Sequence, residues 1–128
     1  MIHNGIEYGM MQALAEGFAL IAARRDLDID PGRLAETWRH GSVIRSWLLD
    51  LCAVALQDED ALERVAPVVE DSGEGRWTAL ESVELGVPTP VITAALMDRF
   101  ASRGRADEAR RLLALMRAGF GGHPVKRA

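Results

Sequence analysis

The chain has 128 residues, with 15 Lys and Arg against 19 Asp and Glu, and 48% of it is hydrophobic. That is enough for one domain with a real core. The net charge of −4 excludes a general nucleic-acid binder, whose phosphate contacts demand a basic excess. No apolar run is long enough to cross a bilayer.

Apolar residues recur every four positions at Ile2, Ile6, Met10, Leu14 and Phe18, which predicts a helix from Ile2 to about Arg25. Asp26 to Asp30 is a break, with Asp30 as N-cap and Pro31 at the first position of a short helix ending near Gly41. Ser42 can cap the next helix, Val43 to about Gln57, which is apolar on most sides and is predicted to be the buried central one. Cys52 lies in it, the only cysteine. It can form no internal disulfide and reads as an inert, buried thiol in a reduced, cytoplasmic setting. The start of the chain, with His3 and Glu7, lacks the pattern of a signal peptide.

Asp60 to Val69 predicts a further helix shortened or bent by Pro67. Asp71-Ser72-Gly73-Glu74-Gly75 is a turn-rich loop. Arg76 to Leu85 is predicted helical, stopping at Gly86 before the rigid Val87-Pro88-Thr89-Pro90 connector. Val91 to Ser102 and Ala106 to Arg117 complete the set, separated by Gly104, and Gly119 can end the last. The tail is glycine-rich and then basic. The expected fold is all-α: one compact domain of six or seven helices.

The first helix carries the candidate chemistry. Gly5, Gly9, Ala13 and Gly17 form a stripe with almost no side chain, although each helix-interior Gly costs about 0.8–1 kcal/mol relative to Ala. Helix packing is the favoured reason for Gly9 and Gly17, while Gly5 could equally admit a ligand. His3 and Glu7 are four apart and share a face, as do Asn4 and Tyr8. Three readings fit these residues. A His and a carboxylate could bind metal, but two ligands are a weak signal and no metal site is expected. They could be a solvated helix end. Or they could be an acid/base set, with Glu7 a proton donor where burial favours its neutral form.

The run His3-Asn4-Gly5-Ile6-Glu7-Tyr8-Gly9-Met10-Met11-Gln12 resembles the substrate-binding signature of 6-phosphogluconate dehydrogenases. Three more segments agree in order and spacing: Trp38 to Ser46, Gly75-Arg76-Trp77-Thr78 leading to Gly86-Val87-Pro88, and Phe120-Gly121-Gly122-His123. The match covers nearly the whole chain and is most similar to the short bacterial form. It implies that residues 1–128 are the C-terminal substrate-binding and dimerisation domain, with the N-terminal coenzyme-binding domain absent.

The implied reaction is oxidative decarboxylation of 6-phosphogluconate to ribulose 5-phosphate and CO2 with reduction of NAD or NADP. By that resemblance Glu7 is the acid that protonates C1 of an enediol. His3 and Asn4 hold substrate hydroxyls, Asn4 also touching the coenzyme's edge. Tyr8 donates to the substrate phosphate and Arg99 binds it. Arg117 and His123, six residues apart, lie on a tail that in the family enters the partner subunit's site. Without the family match, Arg117 reads as a cation favoured at a helix C-terminus. A homodimer is expected, also because Leu48, Leu51, Val54 and Leu112 to Leu115 exceed what one small core needs. Neither nucleic acid nor membrane is an expected partner.

The substrate's carboxylate and phosphate carry close to three negative charges, so an acidic chain must gather cations locally. Arg39, Arg45 and Arg76 are further candidates, with ion pairing to Glu36, Asp50 or Glu74 the alternative, preferred for Arg39.

Two departures bear on function. The family's base is a lysine three residues before the motif histidine, and it is absent here, as is a strand followed by a glycine-rich phosphate turn. The chain alone is therefore expected to be inactive. Ser72 and Glu74 stand where long-form relatives carry Lys and Thr. Glu74 would repel a phosphate, which fits either a different sugar acid or the short-form arrangement. Two other functions remain open: a stand-alone helical binding or assembly module, and a related 3-hydroxyacid dehydrogenase tail.

Overall fold

The computed structural model describes residues 1–58 and 60–127. Its six α-helices run α1 (Ile2–Ala23), α2 (Pro31–Gly41), α3 (Trp47–Leu56), α4 (Glu74–Leu85), α5 (Pro90–Phe100) and α6 (Asp107–Gly121), with no strand among the described residues. The all-α expectation is met, and no described helix is long and apolar enough to cross a membrane.

Helix starts follow local chemistry. Asp30 accepts from the backbone N–H groups of Gly32 and Arg33 while Pro31 opens α2, satisfying donors that have no partner inside the helix. Gly86 ends α4 in the left-handed conformation at φ 65°. The cap of α3 is Ser46, which accepts from Leu49 N–H, and not Ser42. The Ser42 hydroxyl instead donates to the Trp38 carbonyl at 2.7 Å, closing α2 and leaving residues 43–45 outside a helix.

Three further expectations are corrected. Asp60 to Val69 forms successive turns rather than a helix. Pro67 removes a donor and restricts Ala66, and the few residues before it are too short a helix to persist without packing. The last helix runs past Gly119 and is capped by Gly122 at φ 63°. And α3 is peripheral: only Leu49 and Ala53 are buried, while Trp47 is 80% exposed.

The core divides in two along α1. Phe18, with Leu14 and Ile21 beside it, packs on Ala35 of α2 and on Leu49 and Ala53 of α3, with the Phe18 and Trp38 rings 5.9 Å apart. Cys52 is half-buried against this cluster, and burial pushes its thiol up, disfavouring the reactive thiolate. At the other end Tyr8 packs with Ala95 and Leu96 of α5. The face that enters this second core is not the predicted Ile2-Ile6-Met10 row, whose members are exposed, but Gly5, Tyr8 and Gly9.

The glycines explain this. A Cβ on Gly5 would come within 2.6 Å of the Thr78 methyl, and one on Gly9 within 3.2 Å of Val91. Gly5 is therefore a packing glycine, and the reading of Gly9 holds. Gly17 does not behave as expected, because nothing lies within 4 Å of its added Cβ. After α5 the chain kinks at Gly104 (φ 77°), and α6 leaves with no buried residue, its contacts running to the Ala101–Arg105 turn.

These differences make opposite predictions for one substitution at two sites. Gly17→Ala should stabilise the chain by about 0.5–1 kcal/mol through helix propensity. Gly5→Ala should destabilise it by about 1–3 kcal/mol through overpacking against Thr78. Thermal melts of the two variants beside the parent protein check both signs.

Candidate functional site

Helix α1 presents its polar residues in two directions. His3 and Glu7 face a groove of about 460 Å³ whose other residues include Ile6 and Met10 of α1 and Trp47 and Leu51 of α3. Ser46, the cap of α3, also lines it. Glu7 is half-buried on the groove wall and His3 is exposed. His3 Nδ1 donates to Asn4 Oδ1 at 2.8 Å, which leaves Nε2 of a neutral ring as an acceptor. His3, Asn4 and Glu7 thus form one polar edge beside an apolar trough.

Tyr8 points the other way, into the second core, and is only 5% exposed. Gly75 at the start of α4 makes room for it: a Cβ there would overlap the Tyr8 ring. The Arg99 guanidinium lies 3.6 Å over the ring centroid, a cation–π contact. Arg99 also donates to the Glu70 carbonyl at 2.7 Å. So Tyr8 and Arg99, 91 positions apart, are in direct contact.

The structure adds a residue that the sequence reading passed over. Asp71 accepts from the Tyr8 hydroxyl at 3.1 Å, from Gly73 N–H at 2.9 Å and from Arg76 at 2.7 Å. Its side chain is completely buried. Burial raises its pKa, but the Gly73, Arg76 and Tyr8 hydrogen bonds outweigh that and hold the carboxyl below the ordinary carboxylate value. The available signal was Asp71-Ser72-Gly73, an Asx-turn pattern in which the Asp side chain bonds backbone two residues on. Its long-range partner, Tyr8, was beyond any local rule.

The remaining candidates are not drawn in. Arg117 lies on exposed α6 and His123 on the exposed tail. Arg39 is ion-paired with Asp50 and Glu36 at 3.0 and 3.1 Å, as preferred for it, and Arg76 pairs with Asp71 rather than Glu74. Among the described residues no group of three or more His, Cys, Asp or Glu converges as a metal site.

Residues 1–125 match the family model described as 6-phosphogluconate dehydrogenase, C-terminal domain. The chain belongs to this family. It is 46% identical over 129 residues to an NAD(+)-dependent, decarboxylating 6-phosphogluconate dehydrogenase of Haloferax volcanii, aligning 99% of the chain with 42% of that protein. A decarboxylating 6-phosphogluconate dehydrogenase of Bacillus licheniformis is 34% identical over 111 residues, 80% of the chain and 23% of its own length. An NAD(+)-dependent, decarboxylating enzyme of Bacillus subtilis is 33% identical over 109 residues, with the same shares. The chain therefore spans less than half the length of these relatives. Among the described residues no strand leads into a glycine-rich turn.

Because the folded pKa of Asp71 lies below its ordinary value of 3.8, its contribution is fully present above that pH and is lost as pH falls through the folded value. Asp71→Asn should cost about 1–3 kcal/mol at pH 7 and lose less additional stability than the parent protein on acidification from pH 5 to pH 2. Urea unfolding across that range checks it.

Proposed function

We propose that these residues form the substrate-binding and dimerisation domain of a decarboxylating 6-phosphogluconate dehydrogenase, working with a coenzyme-binding unit and a lysine base outside residues 1–128. The reaction assigned to the whole enzyme takes 6-phosphogluconate to ribulose 5-phosphate and CO2. A nicotinamide, NAD or NADP, supplies the hydride acceptor there, and Asn4 is the residue here that can meet its edge.

The observation that carries this reading is the placement of Glu7 and His3 together on the wall of one groove, inside the family's C-terminal domain. Loss of CO2 from the 3-keto acid breaks the C1–C2 bond and leaves its electron pair in an enediol, and Glu7 on the groove wall delivers a proton to the carbon that becomes C1 of the pentose, itself becoming a carboxylate. His3 accepts from one substrate hydroxyl through Nε2, and Asn4 donates to another through its amide nitrogen. Ile6, Met10 and Leu51 form an apolar floor beside these polar groups. The family resemblance assigns the substrate phosphate to Tyr8 and Arg99, which stand together on the other side of α1 from this groove.

Arg117 and His123 belong to a partner's site in this reading. Support comes from α6, whose residues are all unburied and whose Leu112, Leu115, Met116 and Phe120 are exposed. Trp47, Leu51 and Val54 of α3 are exposed too, an apolar surface of the kind a second copy covers. The cytoplasm is the setting that fits a soluble sugar-acid substrate.

Calorimetric titration of the chain with 6-phosphogluconate should give saturable binding, weakened about tenfold or more by Arg117→Ala, the loss of one charge-assisted contact. Light scattering at micromolar concentration should give a dimer. A folded protein that takes up no 6-phosphogluconate, or a strict monomer, contradicts the respective half of the proposal.

A further inference from the structure

The groove between α4 and α5 carries a charge pattern that the groove of His3 and Glu7 does not account for. It holds about 660 Å³ and shares no lining residue with that groove. In a chain of net charge −4, Arg76, Arg103 and Arg105 line it, and among the described residues no Asp or Glu does. Chain order puts the three at one end. Arg76, in the first turn of α4, has its guanidinium 5.1 Å from the ring centroid of Phe100, the last residue of α5. The two helices therefore run antiparallel from the short 87–89 connector. Arg103 and Arg105 follow directly, in the turn that Gly104 kinks at φ 77°. Toward the connector the walls are apolar, with exposed Leu80, Val83 and Met97.

The cationic end is held in place beforehand. Arg103 lies 5.4 Å from the Phe100 centroid, so two guanidiniums are gathered about one ring by cation–π attraction. Their acidic partners occupy them only in part. Arg76 gives Nη2 to Asp71. Arg103 gives Nη1 to Glu70 at 3.4 Å, and that carboxylate is 80% exposed, which makes the pair weak. Arg103 Nε is buried with no hydrogen-bond partner among the described residues, a donor whose desolvation nothing there offsets. The helix dipole favours cations after the end of α5, but it disfavours Arg76 at the start of α4. The dipole alone does not assemble this cluster.

We propose that this groove binds an organic phosphate with an apolar body: the phosphate at the Arg76–Phe100–Arg103 end, the body over Leu80, Val83 and Met97. A phosphate monoester carries close to two negative charges and so calls on more than one arginine, each able to donate two parallel N–H bonds. Stacking on Phe100 has already restricted the guanidiniums, so less side-chain freedom is lost on binding. The volume is that of a small-molecule site, with mostly apolar walls and a few polar groups that fix orientation. An acidic protein segment lying along the groove would need cations over its whole length, whereas here they stop at one end. The inference is independent of the reading of the α1–α3 groove.

The test titrates the full chain with naphthyl phosphate, read by calorimetry and by the Arg103 Nε–H signal in a proton–nitrogen correlation spectrum. Saturable binding should appear, with the Arg103 signal shifting in step. Naphthol and inorganic phosphate, each offering one half of the contact, should bind at least about tenfold more weakly. Arg103→Gln should weaken naphthyl phosphate about tenfold through the lost charge-assisted bonds. Val83→Glu sets a carboxylate in the apolar half at a position 77% exposed, so it keeps the fold and should weaken binding to a similar extent. Naphthol bound as tightly as its phosphate overturns the proposal. So does an Arg103 signal unmoved at saturation, or binding undiminished in the folded variants. A groove filled by a second copy instead, seen as a dimer that Val83→Glu dissociates, overturns it as well.

Discussion

Close approach of α1 to α4 and α5 is the constraint from which the rest of the site follows. At Gly5 and Gly75 the space a methyl would take is already filled, by Thr78 in one case and the Tyr8 ring in the other. The Thr78 hydroxyl, bonded to the Met1 and Glu74 carbonyls, locks the two helices at this separation. The Tyr8 ring consequently slots between Gly75 and Arg99, and its hydroxyl lands on Asp71. With one side of α1 consumed this way, His3 and Glu7 are left on the side that faces α3. Helix-interior glycines, each unfavourable on its own, are thereby offset by the packing they permit.

The same economy of side chains leaves two small cores instead of one large one. Four buried residues hold the α1–α2–α3 end and three the α1–α4–α5 end, while α6 adds none. Much apolar surface stays outside, on α3 and α6 especially. A domain built this way gains most from burial against another surface.

How far the residues alone disclosed this is best seen case by case. Asp30-Pro31 and Gly86 were readable because capping is a matter of adjacent backbone groups. Ser42 was misread because two serines four apart can each cap, and the choice turned on Ser42 reaching the Trp38 carbonyl. The Asp60–Val69 helix failed because Pro67 removes a donor and restricts Ala66, and the few residues before it leave Leu62 and Val65 exposed. The centrality of α3 was overestimated since apolar content does not say which apolar residues a fold leaves outside. In the site, the pairing of His3 with Glu7 followed from helical spacing, and the family resemblance supplied Tyr8 and Arg99. Asp71 was missed because its importance comes from a partner 63 residues away.

The central claim is that a sugar-acid substrate occupies the groove between α1 and α3. The tryptophans offer a direct readout: Trp47 lines that groove, whereas Trp38 packs against Phe18 in the α1–α2–α3 core. In a proton–nitrogen correlation spectrum of the chain titrated with 6-phosphogluconate, the Trp47 indole signal should shift and saturate while that of Trp38 stays fixed. A Trp47 signal unmoved at saturating ligand would contradict the account.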